Sequence, residues 1–329
     1  MARCALSEVM RVTAYGFSKS FRRRRLIHQV TGFRPSMAFE GYPAQHKAAS
    51  ECAIRVQKRH FSFVKCQMAL LVLVTTVSAF EWNYYPAGRV FAAIVVASIL
   101  VVLAILQAVD SLRQYARTWF VCRSIAESTK SESWRFMMRA DPYDDDSSSE
   151  HLLQRGMKTI VEMQEGPVPI DFLVSPVLNS DQIPDEMQKI RRGDLASRKD
   201  FYSQNRIDDQ QAWYLRKAVD NQKQESRWFV AYWTLITVSI LTSILVISYG
   251  SSFFNPVGPL TTATASVLSW TQARRYAELA KSYGLTSKQL GYVKEQVKNV
   301  RSESDLALLV EEAERTISRE HTVWLVRRL

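Results

Sequence analysis

A tryptophan, an arginine, an alanine, a glutamate and a lysine occur twice in this sequence at one spacing. They are Trp119, Arg123, Ala126, Glu127 and Lys130, then Trp270, Arg274, Ala277, Glu278 and Lys281. Two kinds of chemistry are open to such a set. Glu127 and Glu278 are of the type that serves as general acid or base. Arg123 and Arg274 are of the type that holds an acidic group, a lipid phosphate or a nucleotide. The offsets 0, 4, 7, 8 and 11 place all five residues on one face of an α-helix. Each arginine then sits one turn before its glutamate, where ion pairs form. Structural pairing is therefore expected ahead of acid–base work, and support of helix packing is the default role of the arginines.

Nothing else in the chain competes as a catalytic centre, and no enzyme is expected. His28, His46, His60, His151 and His321 are scattered, Glu320-His321 is not an HExxH pair, and no glycine-rich phosphate loop occurs. The run Asp144–Asp146 lacks the alternating carboxylates and glycine of a calcium loop and reads as a solvated linker. Cys4, Cys52, Cys66 and Cys122 have no CxxC spacing, and reduced structural thiols are expected. No metal and no cofactor is predicted.

The elements that must carry the repeated set are oily hairpins, since each copy follows one. Val64–Phe80 and Val90–Val109 are almost wholly apolar, and the second is long enough to cross a hydrocarbon core. Glu81–Arg89, with Tyr84, Tyr85, Pro86 and Gly88, suits a turn at the far interface. Phe229–Tyr249 forms a third span. A fourth, about Val257–Trp270, is short and rich in Thr and Ser, and its case rests on the repeat. A tryptophan followed by cations suits a helix leaving a bilayer for water. The fold class expected is all-α: an integral membrane protein of two transmembrane hairpins with long cytoplasmic helical extensions.

Basic residues set the orientation. Arg55, Lys58, Arg59 and Lys65 precede the first span, and Arg113 and Arg117 follow the second. Arg227 precedes the third, and Arg274 and Arg275 follow the fourth. The outer loops hold only Arg89. Both termini are expected in the cytoplasm, with the plasma membrane as the location. The net charge of +11 is concentrated in residues 1–65, which carry thirteen basic residues against three acidic. Because the rest is nearly balanced, no nucleic-acid partner is expected. The arm 1–39, with Arg22–Arg25 in a row, is expected to be disordered. It reads as a positive-inside flank, an anionic-lipid contact or a targeting peptide; a start codon set too far upstream would also produce it.

The predicted organisation is thus an arm over 1–39 and a first hairpin domain over 40–145, with spans about 64–81 and 90–109. A connector over 146–194 follows, then a second hairpin domain over 195–329, with spans about 228–249 and 257–271. Helices are predicted through Met138 until Asp141-Pro142, over His151–Met163, over Asp185–Ser226, over Leu285–Val300 and over Ser302–Arg319. Gly166–Pro184 reads as mostly irregular. Arg206, Asp209, Trp213, Arg216 and Asp220 lie on adjacent helical rows, so local ion pairs are expected there. The tail His321–Leu325 is apolar enough to dock.

The spans have no charged residue in their interiors, unlike proton-coupled pumps. The fourth offers Gly258, Thr262 and Ser266 at four-residue spacing, followed by Ser269. Small residues at that spacing allow close helix contact, the favoured reading, while hydroxyls on one face could line a wet path. The third span adds Thr234, Thr237, Ser239, Thr242 and Ser243.

The segment Trp119–Asp146 (WFVCRSIAESTKSESWRFMMRADPYDDD) resembles the cytoplasmic signature of SLATT domains. These are two-transmembrane effector domains associated with SMODS nucleotidyltransferases and SLOG nucleotide-binding proteins. Arg206–Ala218 (RIDDQQAWYLRKA), Trp270–Leu290 (WTQARRYAELAKSYGLTSKQL) and Glu314–Arg328 (ERTISREHTVWLVRR) resemble a different SLATT subfamily. The resemblance implies a tandem SLATT protein acting as a pore-forming effector in a nucleotide-signalled conflict response. It also implies a homo-oligomer in a lipid bilayer and a separate nucleotide-sensing or signalling partner. A non-conducting membrane-anchored scaffold is the alternative.

Overall fold

The computed structural model describes Phe39 and residues 41–82, 87–164, 168–250 and 253–326, with side chains to residue 318. The basic arm, Tyr84 to Pro86 of the first turn and the side chains of the apolar tail lie outside the described residues. Among the described residues the chain is helical, with one isolated β-bridge.

The first domain opens with α1, Ala44–Ser78, a single helix of 35 residues. Its first half is polar at the surface and buries Ala48, Ala49, Cys52, Ala53 and Val56. Its second half is the apolar stretch, mostly uncovered. Helix α2, Gly88–Arg113, returns beside it and keeps Val90, Phe91, Ile94, Val101 and Ile105 more than half exposed. Apolar surface of that extent is stable only against lipid or another protein. A non-glycine residue in the left-handed region, Gln114 (φ 46°), closes α2, its N–H donating to Asp110 O at 2.8 Å. Helix α3, Tyr115–Met137, starts at once and packs along the polar half of α1.

The connector holds α4 (Ser149–Glu162) and α6 (Asp185–Arg191), where helices are expected, and the stretch read as mostly irregular adds the one-turn α5 (Ile170–Leu173) and a 3-10 turn (Pro176–Asn179); α7 (Leu195–Tyr202) opens the second domain. The aspartate run is exposed, yet Asp146 meets Arg191 at 2.6 Å and Arg139 at 3.5 Å. Arg191 also donates to Phe136 O at 2.7 Å, and Arg198 to Met138 O at 3.0 Å. These arginines donate to carbonyls at the end of α3, where the regular helical pattern of acceptance stops.

A π-helical turn, Ser203–Asp208, leads into α8, Asp209–Tyr249, whose 41 residues run from the helical bundle into the third apolar stretch. Helix α9, Val257–Arg274, returns along α8 and also packs on α1. Arg275 (φ 50°) closes it, its N–H donating to Thr271 O at 2.8 Å. Helix α10, Tyr276–Gln296, and α11, Glu303–Val326, complete the bundle.

Ala44–Ser78, Gly88–Met137 and Leu195–Tyr249 are long and apolar enough to cross a membrane. Helix α9, with 18 residues, is not among them, because its Thr and Ser dilute its hydropathy. The two hairpin tips are joined: Phe80 and Phe254 form an antiparallel bridge, Glu81 N–H donates to Phe253 O and Asn255 N–H to Ala79 O, each at 2.9 Å.

The expectation of reduced thiols needs correction. Cys52 on α1 and Cys122 on α3 are disulfide-bonded, with Cα atoms 6.0 Å apart, both fully buried; Cys66 is free and exposed. Small residues on α1 let the two helices approach closely enough for the bond. Seventy residues separate the pair, so spacing alone could not reveal it.

Candidate functional site

The two copies of the repeated set meet at one aromatic hub. Phe61 on α1 stacks edge-on against Trp119 at 5.7 Å and against Trp270 at 5.8 Å. Both tryptophans are buried in a cluster with Val56, Cys122, Ile125, Ala126 and Tyr276. The tryptophans of the repeat therefore share a partner.

The rest of the second stripe departs from expectation. In the first copy all five residues lie on α3, with Trp119, Arg123, Ala126 and Lys130 buried and Glu127 half-buried. In the second copy the helix breaks at Arg275. Trp270 and Arg274 end α9, whereas Ala277, Glu278 and Lys281 begin α10, where Glu278 and Lys281 are exposed. The five do not share one helical face. The expected Arg274–Glu278 pair is also absent: Glu278 takes Arg275 at 3.3 Å. Arg274 instead lies over Phe61, Tyr276 and Trp270, at 4.5, 5.4 and 5.6 Å from their ring centres.

A second junction lies deeper in the bundle, where the motif segments of both copies converge. Arg206, from the π-helical turn, grips Glu314 of α11 with two hydrogen bonds, Nε to Oε1 at 2.8 Å and Nη2 to Oε2 at 2.5 Å. Ser131 of α3 donates to Oε2 at 2.8 Å, and Tyr202 donates to Oε1 at 3.0 Å. Each carboxylate oxygen thus accepts two donors, the condition under which a buried ion pair is tolerated. Arg206 is 1% and Glu314 0% exposed. The local pairing expected between Arg206 and Asp209 gives way to this tertiary one.

Around the pair stand Tyr42, His46, Trp134 and Lys130. Trp134 Nε1 donates to the Tyr42 hydroxyl at 2.9 Å, and the Lys130 ammonium lies 5.4 Å from the Tyr42 ring centre. Burial, and then the nearby Arg206, push the Lys130 ammonium down to about 8. Burial likewise pushes His46 down to about 4, and its Nδ1–H donates to Ala126 O at 2.8 Å. Burial opposes the charge of Arg206, but Glu314 more than restores it and holds its pKa above the ordinary value. Such a site can hold two domains in register.

On α9, Gly258 faces open space: a Cβ added there would meet nothing within 4 Å. Thr262 donates to Gly258 O at 3.0 Å and Ser266 to Thr262 O at 2.8 Å, both one turn back on their own helix. Thr262 and Ser266 are half-buried, and Ser269 is exposed. Close contact through Gly258 is thus not made within one chain. Thr234, Thr237, Ser239 and Ser243 on α8 also donate one turn back. Among the described residues no group of His, Cys, Asp and Glu is placed to hold a metal ion.

Sequence reasoning found Arg206 and Glu314 only as members of separate motif segments. Their pairing spans 108 residues and leaves no local signal. The family model described as SMODS and SLOG-associating 2TM effector domain 3 matches residues 43–199, and that described as SMODS and SLOG-associating 2TM effector domain 1 matches residues 202–324. No curated protein and no solved structure matches the chain. The chain belongs to the SLATT family, and two different SLATT domains stand in it in tandem.

Proposed function

We propose that this protein is a four-span membrane effector with both termini in the cytoplasm, and that it oligomerises to form or gate a pore in the plasma membrane. The trigger is a signal from a separate nucleotide-sensing partner in a conflict response. The chain itself is read as non-catalytic, without cofactor and without nucleic-acid contact. One observation carries the reading: α1 and α8 each run unbroken from the buried polar network into an apolar stretch. A rigid helix transmits a displacement of its cytoplasmic end to its far end. A partner that loosens the Arg206–Glu314 junction would therefore tilt the first and third spans relative to each other. Oligomerisation is supported by the uncovered apolar faces of α2 and α8, and by the open space beside Gly258.

Purified full-length protein in dye-loaded liposomes tests the proposal. Release that rises on weakening the junction with Arg206→Lys is expected; a verified oligomer that leaks under no activating condition sinks the pore. The non-conducting scaffold remains a second reading because the Thr262 and Ser266 hydroxyls are satisfied by their own helix and require no water. In a scaffold, Thr262→Leu and Ser266→Leu would leave function intact, while in a pore they would abolish release.

A further inference from the structure

The junction around Trp270 holds more positive charge than the pore reading uses. Phe61 and Lys65 lie one turn apart on α1 and both face Trp270. The Lys65 ammonium is 5.2 Å and the Arg274 guanidinium carbon 5.6 Å from the centre of that one ring. Among the described residues neither cation has a carboxylate within 4.0 Å, and Glu278, the nearest in sequence to Arg274, is held by Arg275. Among the described residues Arg274 donates only through Nε, to the Tyr276 hydroxyl at 3.3 Å, and its terminal nitrogens have no acceptor there. Trp270 is 9% exposed, and its indole N–H is buried without an acceptor. A buried donor left unmade is costly, and two uncompensated cations beside it make the deficit one of negative charge and acceptor oxygens.

The position narrows the ligand. Lys65 stands where the apolar stretch of α1 begins, and Trp270 in the last turn of α9. Tryptophan and lysine at the ends of apolar helices mark the depth of lipid headgroups, where the abundant anion is a phosphate. Lys65 comes from the first domain, and Trp270 and Arg274 from the second. We propose that Lys65, Trp270 and Arg274 form a seat for the phosphate group of an anionic phospholipid, bound at the seam between the two SLATT domains. The inference rests on the four-span reading only for the leaflet concerned, the cytoplasmic one. The phosphate oxygens accept from the Arg274 fork and the Lys65 ammonium, while Phe61 and Tyr276 hold the guanidinium flat. Lipid composition then sets how firmly the two hairpins are joined at their cytoplasmic ends.

Native mass spectrometry of the full-length protein in detergent tests the seat. Phosphatidylglycerol should be retained in preference to phosphatidylcholine, and Arg274→Gln and Lys65→Gln should each weaken that retention about tenfold, as for a lost charge-assisted hydrogen bond. Lys65 is exposed, so Lys65→Gln reports on the seat without threatening the fold. Arg113→Gln, an equal loss of charge in the last turn of α2, should leave retention unchanged. Equal losses in all three variants would mean diffuse attraction to a positive flank and overturn the proposal, as would no preference between the lipids. Inorganic phosphate forms a separate arm: thermal protection by phosphate alone, abolished by the same variants, would assign the seat to a soluble phosphate compound and overturn the lipid. Micelles report the seat whichever way the chain is inserted. Failure here therefore leaves the topology standing, and labelling that puts Trp119 and Trp270 on opposite sides sinks the topology without touching this result.

Discussion

The two copies of the repeat share residue types and offsets but not geometry, because the membrane helix breaks at a different place in each. In the first, the left-handed residue Gln114 lies five positions before Trp119, so the whole stripe sits on the following helix, inside the bundle. In the second, Arg275 lies five positions after Trp270, so the stripe is cut in two. The consequence is a division of labour. The first stripe is core, with Ala126 fully buried and Lys130 enclosed, while the second is a boundary, with Arg274 half-buried and Lys281 exposed. Identical spacing guarantees a shared face only if the helix is continuous.

The largest effect is expected at the buried ion pair that joins the two ends of the second domain and takes a further hydrogen bond from Ser131 of the first. Glu314→Ala or Arg206→Ala leaves a buried charge without its partner and should lower the unfolding free energy by about 3–5 kcal/mol. The pair Arg206→Met with Glu314→Leu should restore most of that loss. Thermal unfolding in detergent, read by tryptophan fluorescence, checks both. If each single variant cost less than the double, the two charges would not be coupled.

Much of this arrangement was legible in the sequence. The long apolar helices follow from apolar runs, and the family follows from motif segments; the low hydropathy of α9 follows from its composition, Thr and Ser included. Hidden were the features that depend on contacts between distant helices or on one backbone angle. Arg206–Glu314 and Cys52–Cys122 join positions 108 and 70 residues apart. Arg275 in a left-handed conformation is a matter of tertiary fit, since nothing in the residue type favours it. Burial of Arg191 and Arg198 against the end of α3 was equally hidden, since their acceptors, Phe136 O and Met138 O, lie 55 and 60 residues away.

The disulfide sharpens the comparison further, because only the first copy has one. Reducing Cys52–Cys122 should cost that domain about 2–4 kcal/mol and leave the second domain's unfolding unchanged. Alkylation followed by intact-mass measurement reports the thiol state, and unfolding with and without a dithiol reductant reports the cost. A loss shared equally by both domains would mean that they melt as one unit.

Paired substitutions at matching positions probe the geometry directly. Ala126→Leu forces a larger side chain into a fully buried site and should destabilise by about 1–3 kcal/mol. Ala277→Leu, at a half-buried position in the first turn of α10, should stay within about 0.5 kcal/mol. Equal costs would show that the second stripe is as enclosed as the first.

The smallest effect expected is a gain. Lys130 is a buried cation beside Arg206, and its partial compensation comes from the Tyr42 ring and from more distant carboxylates. Lys130→Met should therefore raise stability by about 1 kcal/mol, the low end for replacing a buried charge with an apolar group of similar volume. Lys281→Met, in solvent, should change nothing measurable. The gain should depend on pH in one direction. Folding lowers the Lys130 pKa from 10.5 to about 8, so between these values the unfolded chain binds more protons, and the wild type gains stability as pH rises. Below pH 8 both states carry the charge and the advantage of Met is constant; above it the wild type closes the gap and overtakes the Met variant before about pH 10.5, because a shift of this size outweighs the Met advantage. An advantage that widened with pH would mean that Lys130 is stabilised as a cation in the fold, and that the first stripe is held by charge and not merely tolerant of it.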